Sequence, residues 1–248
     1  MALLGLRRDG SGSPLVWLHG FTQTSDSARR FRTILAGRHE VLAPDLPGHG
    51  QNASVLADLN ETADLLAEAI PEPRFALGGY SYGARVALHL ALRHPERVSR
   101  LVLLGATRGI SDESARRDRR ASDDEWARQI ERVGVDEFLD AWLAQPIFAT
   151  LVTSEEERSS RSRDAAGLAE SLRRSGTGQQ AWLEPRLGEI HVPTLVLSGS
   201  LDAKFTLEAV ALAKGIPLAQ RALIEGAGHA AHLEHPTSCA DVVLAFLD

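Results

Sequence analysis

Cysteine occurs once in the 248 residues, at Cys239. A single thiol excludes an intramolecular disulfide framework and any zinc site built on cysteines. No run of 18 apolar residues is present, which excludes a membrane-spanning helix. Residues 1–9 lack a basic stretch followed by a long apolar one, so no secretory leader is expected. Positive charge is outweighed: 27 basic residues face 33 acidic ones, for a net charge of −6, and a surface of that balance has no reason to bind nucleic acid non-specifically. Lysine is nearly missing, occurring only at Lys204 and Lys214 and leaving 25 arginines. With arginine so common, its number says little and its position must carry the chemistry. The expectation is a soluble, cytoplasmic protein of one α/β domain, long enough to bury a substantial core.

Short runs rich in Val and Leu recur at 15–18, 41–43, 75–77, 101–104, 194–197 and 221–224, each ending in small or polar residues. Such runs suit strands covered on both faces, as in a parallel sheet. Helix-length segments lie between them at 56–70, 82–93, 207–214 and 238–247. Alternation of this kind predicts a doubly wound, mostly parallel sheet. The rhythm breaks at 107–187, a charged, helix-like stretch anchored by Trp126, Phe138, Trp142 and Trp182. It is expected to form a helical lid inserted into a core made of 1–106 and 188–248. Residues 107–174 contain twelve arginines against fifteen acidic residues, so most of these charges should be solvated helix faces.

Gly79-Tyr80-Ser81-Tyr82-Gly83 sits between a predicted strand and a predicted helix. That is the setting of a nucleophile elbow, where a sharp turn lifts the serine hydroxyl above the sheet. The flanking glycines relieve the crowding of such a turn, and the helix N-terminus favours developing negative charge. A serine needs a base, and the base an orienting group. Gly226-Ala227-Gly228-His229 follows the last predicted strand, and Asp202 follows the one before it. Ser81, Asp202 and His229 are therefore the candidate triad. His232 and His235 lie close by but not in the glycine turn, while His191, His89 and His94 are expected to flank strands or lie on helix surfaces. Leu18-His19-Gly20-Phe21 ends the first core strand, which makes the backbone N–H groups of Phe21 and Tyr82 candidate oxyanion donors. His19 and Asp45, the latter in Asp45-Leu46-Pro47-Gly48-His49-Gly50, are read as structural.

Taken together, these motifs resemble the α/β-hydrolase superfamily over essentially the whole chain. That likeness alone does not choose a reaction. Further residues do: Arg85 one turn after the serine, the Arg119 to Trp126 stretch, Trp142-Leu143-Ala144-Gln145-Pro146, Arg161-Ser162-Arg163, and Asp202-Ala203-Lys204-Phe205. With these the sequence is similar to the 2-succinyl-6-hydroxy-2,4-cyclohexadiene-1-carboxylate synthases of menaquinone biosynthesis. The resemblance implies a lyase that eliminates pyruvate from a succinyl-enolpyruvyl-hydroxycyclohexene carboxylate, with a Ser-His-Asp triad and arginines for the carboxylates. It carries substrate contacts onto Arg85, Arg119 and Arg163, with Arg161 an alternative to the last, and places Tyr80 and Trp142 in the pocket wall. The sequence departs from the family at Tyr82, where Leu is common, and at Ala84, where a second glycine is common. The chemistry calls for no metal or organic cofactor, and the expected partner is a small anionic molecule. Competing readings are a serine hydrolase acting on esters or carbon–carbon bonds of small acids, and a non-catalytic ligand-binding protein on the same fold.

Overall fold

The computed structural model describes residues 5–248; Met1–Leu4 of the segment read for a leader lie outside the described residues. Among these residues seven strands form one sheet in the order β1-β3-β2-β4-β5-β6-β7. They are β1 (Leu6–Asp9), β2 (Ser13–Leu18), β3 (His39–Pro44), β4 (Phe75–Tyr80), β5 (Val98–Leu104), β6 (Thr194–Gly199) and β7 (Ala219–Ile224). All neighbours run parallel except β1, which pairs antiparallel with β3, Leu6 opposite Pro44. The six apolar runs of the sequence are β2 to β7. β1 went unread because Leu6-Arg7-Arg8-Asp9 is too polar and too short to stand out, and it adds only an edge.

Among the described residues ten α-helices accompany the sheet: α1 (Arg29–Ala36), α2 (Leu59–Ala69), α3 (Tyr82–Arg93), α4 (Glu113–Val133), α5 (Val135–Leu143), α6 (Glu155–Ser159), α7 (Ala165–Ser175), α8 (Ala203–Gly215), α9 (Ala231–Glu234) and α10 (Pro236–Leu247). Because side chains alternate along a strand, each strand feeds two cores. Leu15, Trp17, Val102, Leu104 and Leu197 pack with Phe31 and Leu35 of α1 and Val243 of α10. Val16, Leu18, Leu77, Leu103 and Val196 pack with Leu66, Val86, Leu90 and Leu212 from α2, α3 and α8. The lone thiol, Cys239 of α10, is buried against the sheet, and burial pushes it up to about 12, so it stays protonated. Residues 82–92 of α3 are all buried. His89 is therefore not on a helix surface as the sequence suggested; α2 covers that face, and His89 Nδ1 meets Asn60 Oδ1 at 2.8 Å.

From β5 the chain leaves the sheet through α4 to α7 before returning as β6. These helices have their own apolar cluster: Ala127, Ile130, Phe138, Leu139, Leu168, Ala169 and Leu172, flanked by Trp126 and Trp142. Trp182, read as a fourth anchor, lies outside that cluster; its ring lies 4.9 Å beneath the Arg108 guanidinium. Among the described residues no helix is long and apolar enough to cross a membrane.

The strand order locates the crevice. From β2 the chain steps one way to β3, then returns to the other side of β2 as β4. Loops leaving the C-terminal ends of β2 and β4 diverge at such a point and leave an opening over the sheet.

Candidate active site

β4 ends at Tyr80 and α3 begins at Tyr82, so Ser81 alone makes the turn. Its backbone has φ 51 and ψ −104, outside the regions that residues with a Cβ ordinarily occupy. Such a conformation costs on the order of 1–3 kcal/mol and survives only where its surroundings enforce it. Here they do: Ser81 N–H donates to the Leu104 carbonyl of β5 at 2.8 Å, and its carbonyl accepts from Arg85 N–H at 3.1 Å. The flanking glycines answer to close approach rather than to unusual torsions. A Cβ on Gly79 would stand 2.5 Å from the Gly83 carbonyl, and one on Gly83 would collide with the Leu18 carbonyl of β2.

Asp202 leaves β6 and caps α8, accepting from Phe205 N–H at 3.2 Å through Oδ1. Its other oxygen, Oδ2, lies 2.7 Å from His229 Nδ1, and His229 Nε2 lies 3.1 Å from Ser81 Oγ. With Nδ1–H donated to the carboxylate, Nε2 is left to accept the serine proton. Phe205 packs its ring 4.3 Å from the imidazole, and Tyr80 lies at 5.2 Å on the same residue. Gly105 comes so close that a Cβ there would stand 2.8 Å from His229 Cε1. The three residues ordered as a candidate triad in the sequence thus form one hydrogen-bonded chain. His232 takes no part in it: it is buried between Tyr80 and Phe31 with neither ring nitrogen hydrogen-bonded, and burial lowers it to about 3.

Phe21 and Tyr82 flank the serine. Tyr82 opens α3, so its N–H is one of the helix's unpaired first donors. Phe21 occupies a turn closed by Gln23 N–H to the Gly20 carbonyl at 3.1 Å, which leaves its own N–H out of the closure. Two neutral imidazoles hold this loop. His19 Nε2 accepts from Leu46 N–H at 2.9 Å while Nδ1–H donates to the Gly20 carbonyl at 2.8 Å. His49 Nε2 accepts from Thr22 N–H at 3.3 Å while Nδ1–H donates to the Pro47 carbonyl at 3.0 Å. Burial lowers them to about 4 and about 3, so neither carries charge at neutral pH. Asp45 is also built in, accepting from Ser25 N–H at 2.7 Å and Gln51 N–H at 2.9 Å.

Two cavities meet at Ser81, with Phe21 and Trp142 forming part of both walls. The first runs under α4 and α7 and is lined by Arg85, Arg119, Ser171, Ser175 and Thr177. The second is lined by Gln23, Tyr80, Phe148 and Arg161. Arg85 is buried and donates to the Ser175 carbonyl at 2.8 Å, yet among the described residues no carboxylate pairs with it. Burial lowers it to about 10, which still leaves it charged at neutral pH. Arg119 pairs with Asp123 at 2.7 Å and keeps a third of its side chain exposed. Arg161 is buried, donates to Thr22 Oγ1 at 2.6 Å, stands 3.7 Å from Glu157 and has no hydrogen bond at Nε.

Arg163, expected at the substrate, is not brought to either cavity. It is half-exposed and pairs with Asp136 of α5 at 2.7 Å on the outer surface. The arginine of this stretch that reaches the cavity is Arg161, because Ser162 N–H is fastened to the Thr22 carbonyl at 2.8 Å, next to Phe21. Gln23 and Glu157, which tie this wall together at 3.3 Å, were missed altogether. No local signal marks them, since they are 134 residues apart and meet only in the fold. Among the described residues no cluster of three or more His, Cys, Asp or Glu is arranged to hold a metal ion.

A serine at a strained strand-to-helix turn, with an imidazole and a carboxylate from later strand ends, defines a class. The chain belongs to the α/β-hydrolase fold family, whose model matches residues 13–236. Within it, the relatives are more particular. A 2-succinyl-6-hydroxy-2,4-cyclohexadiene-1-carboxylate synthase of Enterobacter sp. (strain 638) is 35% identical over 251 residues, covering 97% of this chain and 94% of that one. The enzyme of the same name from Photorhabdus laumondii is 32% identical, covering 94% and 84%. A solved structure of MenH from S. aureus superposes with a TM-score of 0.91 at 30% identity, covering 99% and 98%.

Proposed function

We propose that this chain is a carbon–oxygen lyase of menaquinone biosynthesis that eliminates pyruvate from a succinyl-enolpyruvyl-hydroxycyclohexene carboxylate. The observation that carries the reading beyond the fold is the pair of buried arginines on opposite sides of Ser81. Arg85 is charged with no carboxylate paired to it among the described residues, and Arg161 has only Glu157, at 3.7 Å, and a buried Nε with no hydrogen bond. A desolvated cation in that state is costly unless a ligand anion completes it, and a guanidinium grips a carboxylate through two parallel hydrogen bonds. A substrate bearing several carboxylates would meet one arginine in each cavity, with Arg119 supporting Arg85. Arg163 is left out of this assignment.

His229 Nε2 takes the proton of Ser81 Oγ, and the serine oxygen removes the proton beside the succinyl ketone. The released electron pair moves onto the ketone oxygen, where the N–H groups of Phe21 and Tyr82 stabilise the enolate. Its collapse breaks the carbon–oxygen bond to the enolpyruvyl group, which leaves as the pyruvate enolate and is protonated by way of His229. Asp202 fixes the imidazole tautomer and steadies its positive charge. Tyr80 and Trp142 shape the walls. Residues 107–187 serve as a lid on the core of 1–106 and 188–248, and the enzyme works in the cytoplasm without a metal or organic cofactor.

The test is pyruvate release from the enzymatically generated substrate, run beside hydrolysis of a short neutral ester. The substrate also eliminates slowly unaided, so Ser81→Ala protein is the control. Fast, Ser81-dependent pyruvate release with little esterase activity supports the lyase. Esterase activity without pyruvate release would replace it with a serine hydrolase, and neither activity with tight anion binding would indicate a binding protein.

A further inference from the structure

We infer that Glu234 is a positioning residue that sets the loop carrying His229. This rests on the reading of His229 as the base. The chain reaches His229 from β7 through Glu225-Gly226-Ala227-Gly228, in which Gly226 has a φ of 72. The loop is pressed against the end of β6, where a Cβ on Gly199 would collide with the Ala227 and Gly228 carbonyls. Glycines permit that approach but leave the loop little rigidity of its own. Leu201 N–H donates to the Ala227 carbonyl at 2.9 Å, which fixes the loop before His229 but not around it.

Glu234 supplies what is missing. Its Oε2 accepts from Gly228 N–H at 2.8 Å and its Oε1 from Ala230 N–H at 3.1 Å. These are the residues immediately before and after His229, so one carboxylate grips the peptide on both sides of the imidazole. The grip is self-contained, because α9 folds Glu234 back over it, with Glu234 N–H donating to the Ala230 carbonyl at 3.0 Å. Glu234 touches neither Ser81 nor the cavities that meet there. Its effect is to hold Nε2 at 3.1 Å from Ser81 Oγ and Nδ1 at 2.7 Å from Asp202. Charge-assisted hydrogen bonds from backbone N–H to carboxylate are among the stronger kind, and a displacement of about 1 Å at a reacting group costs on the order of a hundredfold in rate.

Glu234→Ala and the isosteric Glu234→Gln are compared with the parent. A glutamine keeps the shape but offers one acceptor oxygen and turns an NH2 towards the other N–H. Both variants are expected to lower kcat for pyruvate release by about tenfold to a hundredfold, with KM within about twofold. In both, the far-downfield proton resonance of His229 Nδ1–H should broaden or shift. The assignment is overturned if Glu234→Gln, folded as judged by its thermal melt, keeps the parental kcat and an unchanged resonance. It is equally overturned if the whole loss appears in KM. Ser81→Ala separates the two levels: parental pyruvate release from that variant would remove the base reading itself, whereas an inactive Ser81→Ala beside a fully active Glu234→Gln would remove only the role of Glu234.

Discussion

The sheet and the inserted helices solve the same problem by different means. The sheet and its loops hold Ser81, Asp202 and His229 through buried contacts, glycines in near collision and neutral imidazoles. The helices α4 to α7 hold a small aromatic cluster and a mesh of exposed ion pairs, such as Arg173 with Glu131 at 2.5 Å and with Asp124 at 3.2 Å. All nine histidines lie outside 107–187, whereas Arg119 and Arg161 lie inside it. The difference separates roles. On the proposed reading, proton chemistry, which needs fixed distances, stays with the sheet and its loops, while anion recognition is shared between Arg85 of the core helix α3 and arginines of the inserted segment.

Four perturbations would break or sharpen that contrast, beginning with the largest. Ser81→Ala should lower pyruvate release by at least about 10⁴-fold while leaving the melting temperature at or above the parent's, since alanine removes only the hydroxyl. Unchanged turnover would end the triad assignment. Acid should strike the core before the helices. His19, His49, His89 and His232 are lowered by burial to about 4, 3, 4 and 3. Below about pH 6.5 the unfolded chain takes up protons that these folded imidazoles refuse, so stability falls with pH down to that range of about 3–4. By pH 5 the loss is on the order of 2 kcal/mol for each, and thermal melts at pH 7 and 5 would read it. A flat melting temperature across that interval would mean the four groups are hydrated.

Arg85→Ala should cost about a hundredfold in kcat/KM for the tricarboxylate, and far less for a neutral ester. Equal losses on both would make Arg85 a structural residue. The sharpest pairwise test is Arg161→Ala against Arg163→Ala: the former should raise KM about tenfold, the latter should stay within about twofold, because its ion pair with Asp136 is exposed. A reversed order would restore Arg163 to the site.

Much of the core was legible because its signals are local. A strand in a covered parallel sheet must be apolar on both faces, which is why 101–104 and 194–197 stand out, and the elbow announces itself through Gly79 and Gly83. The helix read at 82–93 coincides with α3, since its boundaries follow from the elbow before it and the His94-Pro95 step after it. β1 was illegible, being short and polar, and α1 was missed although Phe31, Ile34 and Leu35 give its eight residues one apolar face. A different limit applied to Arg161, Gln23 and Glu157, whose relation exists only across the junction of α6 with the Phe21 loop.

By itself, then, the amino-acid sequence determined the alternation of strands and helices, the strained serine turn and the order in which Ser81, Asp202 and His229 follow one another. Those are properties of neighbours along a chain, governed by side-chain period and backbone sterics. The tertiary structure decided which arginine enters the cavity and that His89 and His232 are buried and neutral. Burial and hydrogen-bond partnership are settled by whatever the rest of the chain brings alongside, and no spacing in the sequence encodes them.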